Sequence, residues 1–161
     1  GRSVAFAEAF LAPRGFRPAE VRAVQNMINC TGISTDLQAI EFQSEQERTL
    51  GYALATSDLL GQMAAPDYIE KLPVLYQEFA EAARHAPAGS AHLFAYKSAG
   101  ELMRNTPVFW EKYVLPKING DFRRLYTFLG HPYPDGPNEY LLRIEANIAR
   151  LRQLAGTAAY P

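Results

Sequence analysis

The sequence predicts an all-α protein. Three observations lead there: apolar residues recur at helical steps of three and four along most of the chain, no stretch alternates apolar and polar residues convincingly, and cap signals open several of the periodic segments. The 161 residues suit one domain or a large part of one. A chain of about 150 residues can bury roughly 68–70% of its unfolded surface, so no staple is needed. With 48% hydrophobic and 20% charged residues, the composition is that of a soluble globular protein, not of a disordered tail.

Val4, Ala7, Phe10 and Leu11 share one helical face, and Pro13, Arg14 and Gly15 end that segment. A second helix is expected from Pro18, with Val21, Val24 and Ile28 on one side and a stop near Gly32. Residues 33–42 have no helical period and read as a loop with room for a short extended piece. Ser44 and Glu47 form a capping-box pattern, which predicts a helix from Ser44 to Met63. Ala64, Ala65 and Pro66 break it; Asp67 and Glu70 restart a helix that should bend at Pro73 and fade between Ala86 and Gly89. Ser98 with Glu101 signals another start, and Thr106-Pro107 a further one, with Phe109, Trp110, Tyr113 and Val114 supplying core bulk. Pro116 and Gly120 should kink or split the helical pattern beyond Val114. The string GHPYPDGPN must be a loop, and its Asn138 can cap a last helix whose stripe is Leu141, Ile144, Ile148 and Leu151. That stripe spans only about two heptads, too few to argue for a coiled coil.

Sixteen basic against 17 acidic residues give a net charge of −1, which removes the electrostatic case for a nucleic-acid or acidic-membrane binder. Cys30 is the only cysteine, so a disulfide framework and a multi-cysteine zinc site within this chain are excluded, and a reducing cytoplasm is the expected setting. No apolar run approaches the roughly 18 to 20 residues of a membrane span. The chain opens Gly-Arg-Ser without a methionine and enters a helical pattern at Val4, which predicts a start inside a longer protein.

Asp58 is the residue that stands out before any family is considered. On its helix the neighbours one turn away are Leu54, Ala55, Gly61 and Gln62, with Gly51 two turns back, so the face is small and mostly apolar. A carboxylate turned into such a face needs a cation, a metal or hydrogen-bond donors. Pairing with an arginine across a helix interface and ligation of a metal both meet that need, and spacing alone leaves both open. Gln62, one turn on, completes an inward-facing polar pair. Lys71, in PDYIEKLP, reads by itself as a solvated charge. Tyr68, Tyr76 and Phe79 read as core or rim aromatics. His85 suits a helix C-terminus, while His92 and His131 fall in loops. Cys30 beside Ile28 reads as a buried inert thiol. Zinc-protease, nucleophile-elbow, dinucleotide and P-loop motifs are all absent.

The string GYALATSDLLGQMAAPDYIEKLPVLYQEF resembles the stretch of HD-domain metal-dependent phosphohydrolases that carries their last metal-ligating aspartate. The preceding NMINCTGISTDLQAIEFQSEQER is similar to the helix and loop leading into it. MRNTPVFWEKYVLPKINGDFRRLYTFL and PYPDGPNEYLLRIEANIARLR resemble the tail of one group of these proteins, so the likeness covers most of the chain.

The resemblance implies an HD-like helical bundle, with residues 1–89 as part of its core and 90–161 as a C-terminal helical extension of a single domain. It implies that Asp58 is a metal ligand and that Gln62 and Lys71 face the substrate pocket. The expected cofactor is a divalent metal, with manganese, iron, magnesium, zinc, cobalt and nickel as candidates. No His-Asp dipeptide occurs in the sequence, so the family's histidine and His-Asp ligands would lie before Gly1. The implied activity is metal-assisted hydrolysis of a phosphate ester, nucleotides and cyclic nucleotides included, with this chain alone inactive. The implied partners are a small phosphorylated substrate and either a second copy of the chain or the preceding segment. From another class, the same fold would serve a non-catalytic regulatory or protein-binding module with a degenerate metal site.

Overall fold

The protein is all-α. In this computed structural model, which describes residues 2–33, 35–85 and 96–156, six α-helices follow one another: Arg2–Leu11 (α1), Pro18–Asn29 (α2), Glu45–Met63 (α3), Tyr68–His85 (α4), Ala99–Phe109 (α5) and Glu139–Gly156 (α6). Short 3-10 segments occupy Ala12–Arg14, Leu37–Ala39 and Leu125–Leu129, and π-helical ones Trp110–Val114 and Lys117–Asp121. No strand occurs among the described residues, and no helix among them is long and apolar enough to cross a membrane. The chain packs as two compact units that interleave along the sequence, Gly1–Leu59 with Lys117–Phe128 and Leu60–Pro116 with Leu129–Pro161.

In the first unit α1 packs on α2, burying Ala7 and Val21. The expected inward face of α1 is only partly realised. Phe10 is 43% exposed, stacked on Phe6 at 5.6 Å, and the Arg14 guanidinium sits 3.6 Å over its ring. The ring finds its partners on its own helix and the following turn, so it needs no core. Gly15, at φ 84°, closes that turn in a left-handed conformation.

The loop before α3 contains a 3-10 turn, not an extended piece, because the Asp36 carboxylate accepts from Gln38 N at 2.9 Å and caps it. Ser44 Oγ accepts from Glu47 N at 3.1 Å, as the capping pattern predicts. The reciprocal bond reaches one residue further back: Glu47 accepts from Gln43 N at 2.9 Å and, at its other oxygen, from Asn26 Nδ2 at 2.8 Å. The unit's core gathers Cys30, Tyr52, Ala55, Ile118 and Phe122.

In the second unit α4, α5 and α6 pack on one another. Pro73 lies in the second turn of α4. Ser98 caps α5 by accepting from Glu101 N at 3.2 Å. Thr106-Pro107 does not start a new helix. Pro107 lies inside α5 among buried Leu102, Met103 and Thr106, so packing on both sides outweighs the one backbone bond that proline removes. Gly120, expected to break the chain, lies within a π-helical turn that Pro116 immediately precedes. Asn138 Oδ1 accepts from Tyr140 N and Leu141 N, capping α6 as expected. The α6 stripe is buried at Ile144, Ile148 and Leu151, while Leu141 is half-buried. Asn147, off that stripe, donates to the Met63 and Ala65 carbonyls at 2.9 and 3.1 Å.

Candidate functional site

Gln62 and Lys71 come together in one groove of about 600 Å³ within the second unit. The last turn of α3 supplies Gly61 and Gln62, and α4 supplies Tyr68, Lys71, Leu72, Val74, Leu75 and Glu78. The α4 residues recur at steps of three and four, so one helical stripe lines the groove. Ala65, in the connection, adds a small side chain. Leu72 and Tyr68 are buried and form the floor; Val74 is 54% exposed at the edge. Burial pushes the Tyr68 phenol up to about 12, a rise partly offset by its hydrogen bond with Thr106. The polar groups sit at the margin: the Gln62 amide, the Glu78 carboxylate and the Lys71 ammonium.

Lys71 carries the solvated charge that its sequence context predicts. Its side chain is mostly exposed and pairs with Asp67 at 2.9 Å, four residues back, while it also lines the groove. That bond holds the Asp67 carboxyl below its ordinary value. An exposed pair of this kind is screened by solvent and contributes little, so the ammonium can turn to an anionic group in the groove at little cost.

Asp58 lies one turn before Gln62 on α3 and is half-buried. Its neighbours divide: Ala55 is buried, whereas Leu54, Gly61 and Gln62 are exposed. The face expected to be closed is a boundary, so the desolvation penalty attached to an inward carboxylate is reduced. Among the described residues no three histidine, cysteine, aspartate or glutamate side chains gather in a way that could hold a metal ion. Asp58 offers one anionic ligand, and a metal site needs several, so these residues do not by themselves fit a bound metal.

His85 ends α4, His131 is exposed in the loop before α6, and His92 lies outside the described residues. Cys30 is buried, its thiol pushed up to about 11 chiefly by desolvation, and Sγ lies 3.4 Å from the Asn26 carbonyl, to which it donates. Burial and the raised pKa both disfavour the reactive thiolate, in line with its place beside Ile28. The apolar floor of the groove was readable as the 68/72/75 stripe of α4. Those positions look the same whether a helix covers them or they line a groove, and the sequence does not separate the two cases.

The chain belongs to the Npun_R2479-like family, whose model matches residues 9–130. That description names no activity. No curated protein and no solved structure matches the chain.

Proposed function

We propose that this chain is part of a metal-dependent phosphohydrolase, in which the groove between Gln62 and Glu78 receives a phosphate ester and Asp58 supplies one anionic metal ligand. The observation that carries the reading is that Gln62 and Lys71, singled out by the resemblance to HD-domain phosphohydrolases, line the same groove. In it, Lys71 neutralises charge on the phosphoryl oxygens, the Gln62 amide donates to one of them, and the Tyr68 and Leu72 floor buries the apolar part of the ester. Nucleotides and cyclic nucleotides are the first substrates to test, since a base offers the flat apolar face that such a floor takes. The remaining metal ligands come from outside residues 1–161, and this chain alone is inactive.

A second reading, a non-catalytic module that binds a partner through the same groove, is favoured by the apolar character of Tyr68, Leu72, Val74 and Leu75 against the single cation Lys71. The intact gene product, purified without chelator, separates the two. The phosphohydrolase reading expects about one divalent metal per chain and hydrolysis of nucleotides or simple phosphate esters, with both lost together in Asp58→Asn while the helical circular dichroism is kept. Wild type that contains no stoichiometric metal and hydrolyses no phosphate ester overturns it.

A further inference from the structure

Tyr68 supplies the one aromatic ring among the described residues that line the groove, and it is 9% exposed. It is also the first residue of α4, where no preceding turn of the helix braces a side chain, so the ring must be held from elsewhere. The hold comes from α5. The Tyr68 hydroxyl is hydrogen-bonded with Thr106, itself 3% exposed. Thr106 Oγ1 also donates to the Leu102 carbonyl, one turn back on α5, at 2.8 Å, which fixes the rotamer from which it meets the phenol. Phenol, threonine and carbonyl form a buried chain that leads away from the groove, since neither Thr106 nor Leu102 lines it.

A phenol whose oxygen is engaged in α5 offers the groove its ring, not its hydroxyl. With Ala65, Leu72 and Leu75 alongside, the floor has no side-chain donor or acceptor to spend on a ligand, and the polar groups stay at the margin. Such a floor tells a flat aromatic group from a saturated one of similar size by ring–ring contact. That contact depends on geometry, so a ring free to turn would lose it.

We infer that Thr106 is a positioning residue for this groove: without touching the ligand, it holds the Tyr68 hydroxyl and so fixes the ring on which an aromatic group of the ligand lies. The inference rests on the reading of the groove as a phosphate-ester site and narrows the ligand to esters that carry an aromatic ring, over those with a saturated ring or chain.

Titration calorimetry of the intact gene product tests it with phenylphosphonate and cyclohexylphosphonate, a pair that differs in aromaticity and whose carbon–phosphorus bond a phosphohydrolase leaves whole. Phenylphosphonate should bind about 2- to 10-fold more tightly. Thr106→Val takes the hydroxyl away and should bring that ratio close to one, whereas Thr106→Ser should keep it. A Thr106 that served stability alone would leave the ratio where it is. Should Thr106→Val lose its helical circular dichroism, Tyr68→Phe reads the same bond from its other end and should lower the ratio likewise. Equal binding of the two phosphonates by wild type overturns the inference, as does a ratio kept in folded Thr106→Val, or in Tyr68→Phe where that variant decides; metal content and hydrolysis then still carry the phosphohydrolase reading. If neither phosphonate binds, the groove's role as the ester site falls and the inference falls with it.

Discussion

Cys30 and Glu47 are neighbours in one buried network whose two ends behave in opposite ways. The thiol, 1% exposed and held protonated up to about 11, should resist alkylation by iodoacetamide at pH 7.5 and react fully only once urea unfolds the chain. Its folded value lies above the unfolded one, so the stability it contributes is complete below about pH 9 and is lost as pH rises toward about 11. Urea midpoints measured across that window should fall for wild type and fall less for Cys30→Ala. Glu47, 5% exposed, accepts from Asn26 and from the Gln43 amide. Truncating it strands both donors, so Glu47→Ala should cost about 2–3 kcal/mol by urea unfolding, and Glu47→Gln less, since one acceptor oxygen is kept. The capping partnership of Ser44 and Glu47 was legible as a pattern of four residues. The bond from Asn26 was not, because a side chain that crosses 21 residues leaves no spacing to read.

Among the elements, α3 makes two opposite uses of glycine. A methyl group on Gly51 would stand 2.8 Å from Cys30 Sγ and 3.5 Å from Met27 Cα, so α2 approaches α3 because that position is bare. Gly51→Ala should destabilise by about 1–3 kcal/mol through overpacking. Gly61 meets nothing within 4 Å, so Gly61→Ala should stabilise by about 0.5–1 kcal/mol, the helix propensity gained. Chemical denaturation of both variants reads the contrast, and equal signs would refute the packing account. From the sequence, Gly51, Ala55 and Gly61 form one small-residue face; only the neighbouring helix says which of them is covered. Asn147 teaches the same lesson on α6. Its amide holds the Met63 and Ala65 carbonyls, more than eighty residues earlier, and Asn147→Ala should cost about 1–2 kcal/mol by taking this donor from Met63, whereas Ala65 keeps the Tyr68 amide. The α6 stripe and the Asn138 cap were legible because both are local. Asn147 was not, since it sits off the stripe and finds its partners only in the folded chain.

At the scale of the whole molecule, helical class was readable because each helix carries its own periodic record, while the way the chain divides was not. Residues 117–128 belong with the first 59, and nothing in their local pattern assigns them there. Arg123, bonded to Glu45 across 78 residues, and Phe122, at 0% exposure beside Tyr52, do the joining. This interleaving governs how the protein is made. On a ribosome, helices α1 to α3 emerge with the seat for Phe122 still empty, and residues 60–116 must be synthesised before it arrives, a wait of several seconds at ~5–20 residues per second. Through that interval the side of Tyr52 that Phe122 will cover faces water, so nascent chains arrested before residue 117 should be cut readily by protease within α1 to α3 and bound by chaperones. Chains released past residue 128 should be protected there. The first unit is thus finished only after residues 60–116 of the second have been made, whatever the order in which its helices form.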